Sequence, residues 1–345
     1  MGYRISVIGI LLLCLYAMPT AAQVSVSEDA TLSGKVYSDY YWMAQHHNEN
    51  IEGKNGFWFR RIYATYNHDL NESFSTQLRL EMNSSGDFVT NTEMTPTVKD
   101  AYLKWSNGTH EIYAGISGTP MFGLTEDVWG YRSVEKSPQD LYDFSSSRDF
   151  GLAAKGKLGS AEKVQYHLSL GNGNSNRPDI DKGKKVSLSM AYYFTDKLVV
   201  EGYTDYNSQT NRADSYSAQV FGGYQSDDLN IGALYSNQYH EGTLGGRSRN
   251  LDLVSVFSNF SITEKAKGYL RVDHLFDGYQ GGRNNSYIPF AEEVESTFMV
   301  AGADFLLAEK IHLMPNVEAV VYGENAQGLS PDTDIIPRMT LYWEF

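Results

Sequence analysis

The chain has 345 residues, a net charge of −14, a mean hydropathy of −0.40 and 13% aromatics, with 25 Tyr among them. That hydropathy excludes a bundle of membrane-spanning helices, each of which needs about 20 apolar residues in a row. The acidity disfavours a nucleic-acid partner, because phosphate binding needs a basic footprint.

In chain order, the first element is a targeting segment. Met1 to Ala22 carries one positive charge, Arg4, then an apolar run from Val7 through Leu15, then the small residues Thr20-Ala21-Ala22. This is the charged region, apolar region and cleavage site of a secretory signal peptide. The apolar run is too short to cross a bilayer as a helix. The mature chain is therefore expected to begin at Gln23 and to form one domain over 23–345. Cleavage removes Arg4, the only charge in 1–22, and takes the net charge from −14 to −15. It also removes Cys14, the only cysteine. An exported chain without disulfides needs another source of stability, such as a large closed sheet.

From residue 30 onward a period of two recurs. In Gln77-Leu78-Arg79-Leu80-Glu81-Met82, the apolar residues share one face and the polar residues the other. Val164, Tyr166, Leu168 and Leu170 alternate in the same way with Lys163, Gln165, His167 and Ser169. Sixteen such strands are predicted: 30–45, 56–67, 73–84, 96–106, 109–117, 147–159, 162–172, 183–194, 197–207, 213–225, 228–239, 248–260, 264–276, 294–307, 310–323 and 335–345.

The connections tend to alternate between short and long. Asn107-Gly108, Ser160-Ala161 and Ala308-Glu309 are among the tight ones; 46–55, 85–95, 118–146 and 277–293 are among the long ones. Outer-membrane barrels have this asymmetry, with tight periplasmic turns and longer outer loops. A β-sandwich has no reason to sort its loops by parity. Trp42 and Trp58 fall at the long-loop ends of their strands, and Trp105 and Trp343 at the short-turn ends. Those are the membrane interfaces, where amphipathic rings are favoured. At the end of the chain, Met339, Leu341, Trp343 and Phe345 alternate with polar neighbours. This pattern, with Trp343 and Phe345 at its end, resembles the terminal signature read by the barrel assembly machinery.

Lipid offers no hydrogen-bond partner, so a spanning sheet must close on itself. The expected fold is an all-β, closed antiparallel transmembrane barrel of sixteen strands, wide enough for an aqueous channel. Its location would be the bacterial outer membrane, among outer-membrane lipid and lipopolysaccharide. The polar face supplies candidate pore-lining residues: Arg61, Arg79, Glu81, Asp100, Lys155, Lys157, Arg271 and Arg338. Taken singly, most of these read as a solvated, mutually paired face.

The quoted elements continue into family-like motifs. Phe59-Arg60-Arg61, Asp100-Ala101-Tyr102-Leu103, Ala114-Gly115, Pro120-Met121-Phe122-Gly123-Leu124 and Ser147-Arg148-Asp149-Phe150-Gly151 occur in that order. From about Gly56 onward the chain resembles the phosphate-selective porin O/P family. The resemblance implies a homotrimeric sixteen-stranded porin whose third loop folds into the lumen. Residues 118–146 match that loop, with Glu126, Asp127, Arg132, Glu135 and Lys136 as constriction candidates. The loop as a whole carries five acids (Glu126, Asp127, Glu135, Asp140, Asp143) against two bases. Thr119 stands where the family commonly has a lysine, and Met121 interrupts the Pro-Phe-Gly element. Phosphate selectivity would therefore depend on the basic wall residues, since the charge of a ring sets ion preference.

Other chemistry finds no support. There is no phosphate-binding glycine loop. His46-His47 lies in the first long loop and, without a clear set of further ligands, reads as solvent-exposed. No metal, cofactor or catalytic residue is expected. Passive diffusion of small hydrophilic solutes or ions, with an anion or phosphate preference, is the leading expectation. The alternatives are a plugged barrel with a surface-binding role and, behind it, a hydrolase at the rim, for which Ser/His pairs such as His240 and Ser248 exist but do not stand out.

Overall fold

The computed structural model describes residues 23–210, 213–242, 248–278 and 287–345. The expected signal peptide, 1–22, lies outside them. Seventeen strands and two short helices follow in chain order. A short strand β1 (Gln23–Ser27) precedes β2 (Ala30–Trp42), β3 (Asn55–Asp69), β4 (Phe74–Met82), β5 (Thr97–Ser106) and β6 (His110–Gly118). Helices α1 (Gly123–Trp129) and α2 (Pro138–Leu141) lie in the long connection to β7 (Arg148–Leu158). Then come β8 (Val164–Gly171), β9 (Lys185–Tyr193), β10 (Leu198–Asn207), β11 (Ser215–Gln225) and β12 (Leu229–His240). The last five are β13 (Arg249–Thr263), β14 (Ala266–Leu275), β15 (Ser296–Ala308), β16 (Ile311–Tyr322) and β17 (Asp334–Glu344).

Each of β2 to β17 pairs antiparallel with its sequence neighbours, and β17 pairs antiparallel with β2, Glu344 opposite Lys35 and Arg338 opposite Tyr41. The result is a closed barrel of sixteen strands. All sixteen coincide with the predicted segments to within three residues at either end. Strand β1 was not anticipated; it folds back on β2 as a short hairpin outside the ring. The seam continues past the last strand residue, where Gly34 and Phe345 exchange both backbone hydrogen bonds, 2.7 and 3.0 Å. A Cβ on Gly34 would stand 2.2 Å from the Phe345 ring, so the glycine makes room for the terminal aromatic.

The two faces of the sheet invert the rule for soluble proteins. Along β10, Glu201, Tyr203 and Asp205 are buried while Leu198, Val200 and Tyr206 are exposed. On other strands Val220, Ile231, Val256, Leu270, Val317 and Val321 are also exposed. An apolar belt of this extent on a water-soluble surface would be an aggregation liability; against hydrocarbon it is the favoured arrangement. No helix among the described residues is long and apolar enough to cross a membrane. The barrel is an outer-membrane protein.

Aromatics distribute less simply than expected. Trp42 is 49% exposed at its strand end and Phe57 is 88% exposed beside it. Trp58 instead turns inward and packs edge-on to Tyr287, ring centroids 5.3 Å apart, and tilted against Phe88 at 5.0 Å. Its neighbours Phe57 and Phe59 take the outward positions, as alternation demands.

The main apolar core joins the β6–β7 connection to the buried face of one side of the barrel. Met121, Phe122, Val128, Trp129, Tyr142 and Phe144 pack with Phe221, Leu253, Phe257, Tyr269 and Phe298. The cavities lie mostly along the opposite wall, β2 to β10, and one of them reaches β11 and β12.

Candidate functional site

Two β-bulges shape the wall opposite the core. Between β2 and β3, Tyr37 pairs with Arg61 and Ser38 with Phe59, which leaves Arg60 as the extra residue. Consecutive residues Arg60 and Arg61 are both buried as a result. Between β4 and β5, Arg79 pairs with Asp100 and Leu80 with Val98, which leaves Lys99 extra and beside Asp100. A regular strand would send Arg60 and Lys99 to the lipid side. The bulges bring two more cations to the polar side than simple alternation allows.

Arg61, Arg79 and Lys99 border a cavity of about 250 Å³. Lys35, Arg61, Arg79, Lys99, Arg132 and Arg148 face it, and Glu126 is the only carboxylate in its lining. Other carboxylates brace the cations from behind. Arg61 contacts Glu81 at 3.0 Å, and Lys99 contacts the other oxygen of Glu81 at 2.9 Å. Asp100 lies between Arg79, at 3.1 Å, and Arg148. Arg132 reaches Asp140 at 2.7 Å and Glu126 at 3.3 Å. Burial alone would raise the Asp140 carboxyl, but Arg132 and Lys136 outweigh it and hold it well below the usual range.

Two further cavities adjoin. One, of about 370 Å³, lies toward the short turns and is lined by Glu111, Asp127, Lys155, Lys157, His167 and Glu201 among others. Enclosure in this cavity, and then the neighbouring Glu126, push the Asp127 carboxyl above its ordinary range. The other, of about 230 Å³, lies toward the long loops; Thr119, Ser145, Ser146, Asn207 and Gln238 line it beside the charged Asp143, Asp149 and Lys185. Arg148 lines both this cavity and the basic one.

The connection 119–146 is tied to side chains of many strands. Gln219 of β11 donates to the Met121 carbonyl at 3.3 Å, and Asn259 of β13 donates to that of Trp129 at 3.0 Å. Arg271 of β14 donates to the Lys136 carbonyl. Lys185 of β9 donates to Ser145 Oγ at 2.6 Å. The strongest tie is Glu135, which meets Arg60 at 2.6 Å and Arg338 at 3.6 Å. Arg60 also meets Asp39 at 3.3 Å, and Arg338 meets Glu318 at 3.0 Å. All five side chains are buried.

The sequence-derived candidates thus separate into groups. Arg61, Arg79 and, from the loop, Glu126 and Arg132 border the basic cavity, with Glu81 and Asp100 behind them. Lys155, Lys157 and Asp127 line the larger cavity. Arg271 and Arg338 line none of the three, nor do Glu135 and Lys136; Arg271 is fully buried on Asp273 and donates to the Lys136 carbonyl, and Arg338 is buried against Glu135. Arg60, Lys99, Arg148 and Lys35 escaped the sequence reading. The first two need a bulge to be seen. Arg148 sits in a motif that was read for its resemblance and not for its charge. His46 also differs from expectation: it is 1% exposed, and Asp334 lies beside it and His47.

No family model matches the chain, and no curated protein matches it in sequence. Solved structures do match. Salmonella typhi OmpF, solved in complex with daunomycin, is 14% identical, with a TM-score of 0.66 over 94% of this chain and 100% of that one. The anion-selective porin from Comamonas acidovorans is 10% identical, with a TM-score of 0.65 over 92% and 99%. The outer membrane channel DcaP of Acinetobacter baumannii is 12% identical, with a TM-score of 0.64 over 92% and 97%. At these identities the likeness is one of fold, and the fold is that of bacterial porins.

Proposed function

We propose that this barrel is a diffusion channel for small hydrophilic solutes that prefers anions, with residues 119–146 folded into the lumen as its constriction. The basic cavity carries the reading. Six cations border it against the single lining carboxylate of Glu126. The sign of charge at a narrow ring sets ion preference, whatever the net charge of the chain. Guanidinium forks on Arg61, Arg79 and Arg148 suit phosphate oxyanions as well as chloride. The resemblance to the porin O/P family supports phosphate as one solute.

The inward fold of 119–146 is supported by its bonds to the polar side of β3, β9, β11, β13, β14 and β17. Solutes would pass from the cavity toward the long loops, past Arg148, to the basic cavity and the one toward the short turns. The family resemblance further supports a homotrimer without enzymatic activity. Export by the segment 1–22, insertion by the assembly machinery through Trp343 and Phe345, and contact with lipopolysaccharide complete the proposal.

Planar-bilayer recording tests it. Stepwise ohmic conductance is expected, with a reversal potential of anionic sign in a KCl gradient and a chloride current reduced by added phosphate. A cationic reversal potential would overturn the anion preference. Silence over many insertions of folded protein would overturn the channel and favour a plugged barrel. Sedimentation in detergent reports the trimer.

A further inference from the structure

We propose that His46, His47 and Asp334 form a binding site for one borderline divalent transition-metal ion, with Zn²⁺ as the reference case, at the long-loop end of the barrel. The histidines come from the loop after β2 and the aspartate is the first residue of β17, so the site joins parts of the chain that lie far apart in sequence. One ligand atom from each residue falls within 4.8 Å of the others. Nδ1 of His47 is 2.9 Å from Oδ1 of Asp334, and Nδ1 of His46 is 3.8 Å from the same oxygen. Ligands of a tetrahedral ion with bonds of about 2.1 Å stand about 3.4 Å apart, so small adjustments suffice. Two imidazoles and one carboxylate leave the fourth position to water or another donor.

The surroundings hold the three groups in place. Nδ1 of His46 accepts the Asn48 backbone N–H at 3.0 Å, so that nitrogen is unprotonated, and a bound ion would displace the Asn48 N–H from its one lone pair. Nε2 of the same ring has no hydrogen-bond partner, although the side chain is almost wholly buried. The two rings are held 4.4 Å apart, and His47 packs edge-on to Tyr322 at 5.2 Å. The Tyr322 hydroxyl donates to Oδ2 of Asp334 at 2.5 Å, which orients the carboxylate and leaves Oδ1 toward the histidines. A bound ion would staple the first long loop to the start of β17. This inference stands whether or not the barrel conducts.

The test uses the folded, detergent-purified protein after chelation. Calorimetry with ZnCl₂ should show one ion per chain. Co²⁺ in its place should give the intense visible bands of a four-coordinate site. His47→Gln and Asp334→Asn should each weaken Zn²⁺ binding at least about tenfold. Tyr322→Phe, which keeps all three ligands, should weaken it by about tenfold through the outer shell alone. The proposal is overturned if no Co²⁺ spectrum develops, or if Zn²⁺ binds no tighter than to the His46→Gln/His47→Gln double variant. Should a variant lose the heat-modifiable gel mobility of a folded barrel, the Co²⁺ spectrum of the unsubstituted protein decides.

Discussion

Arg148 is the residue on which ion preference is expected to turn most sharply. It borders both the cavity toward the long loops and the basic one, and it shares Asp100 with Arg79. Arg148→Gln removes a cation where the proposed path is shared, and Arg79 still neutralises Asp100. The reversal potential should move toward neutrality while single-channel conductance changes little. Asp127 gives a pH dependence of definite sign. Its carboxyl is raised, so it loses its charge before ordinary carboxylates as pH falls. Anion preference should therefore rise as pH falls from neutrality toward the usual carboxylate range. The rise should be smaller in Asp127→Asn, because that charge is already gone. Lys155 and Glu201 line the same cavity and set the background. Glu135 has the opposite sign. Burial would raise its carboxyl, but Arg60 and Arg338 outweigh burial and lower it. A depressed carboxylate stabilises above its unfolded value and fails only as pH drops through the lower folded one. The anchor should thus hold through mild acid. Glu135→Gln leaves two buried guanidiniums short of a partner and should cost about 3 kcal/mol in reversible urea unfolding. It should also make the current noisier.

The strands show what a sequence can and cannot disclose. Period-two alternation located all sixteen barrel strands, because each has one face in hydrocarbon and one on the polar side. It could not disclose the bulges, since a single inserted residue leaves both flanking runs in perfect alternation. Arg60 and Lys99 were therefore missed, and with them one of the six cations at the basic cavity and an anchor of Glu135. Nor could it place the partner of His46-His47, because closure of the ring, not sequence proximity, brings Asp334 there. Deleting Lys99 tests the bulge directly. The β4–β5 register would become regular, the barrel should still close, and the anion preference should fall. A deletion that abolished heat-modifiable folding would show the bulge to be structural first. Gly115 marks another strand irregularity. It sits at φ +129°, and a Cβ there would lie 2.2 Å from the Ala101 carbonyl oxygen. Backbone strain of this kind costs about 1–3 kcal/mol, so Gly115→Ala should lower urea stability by at least that, with no effect on ion preference in the fraction that folds.

For the molecule as a whole, the connection 119–146 does two jobs that can be separated. It supplies much of the main apolar core: Trp129, Tyr142 and Phe144 are almost fully buried against β11 to β16. It also supplies Glu126 and Arg132 to the cavity on the other side. Truncating a buried large aromatic costs about 3–5 kcal/mol in a soluble core. A barrel draws its remaining stability from a closed hydrogen-bond ring, which that loss leaves untouched. Replacing 124–143 by a short Gly-Ser linker should therefore lower the unfolding temperature without preventing closure. Conductance should rise, because the proposed constriction is gone. Anion preference should fall but not vanish, since Arg61, Arg79, Lys99 and Arg148 stay on the wall. The residual preference should also become more sensitive to salt. Screening reaches about 10 Å at 0.1 M and about 3 Å at 1 M, and a wall charge facing a wide lumen acts over a longer distance than one facing a narrow gap. Recording at both salt concentrations separates the two contributions. Unchanged conductance in the replaced barrel would mean that 119–146 does not set the pore, and that the narrowing lies in the wall itself.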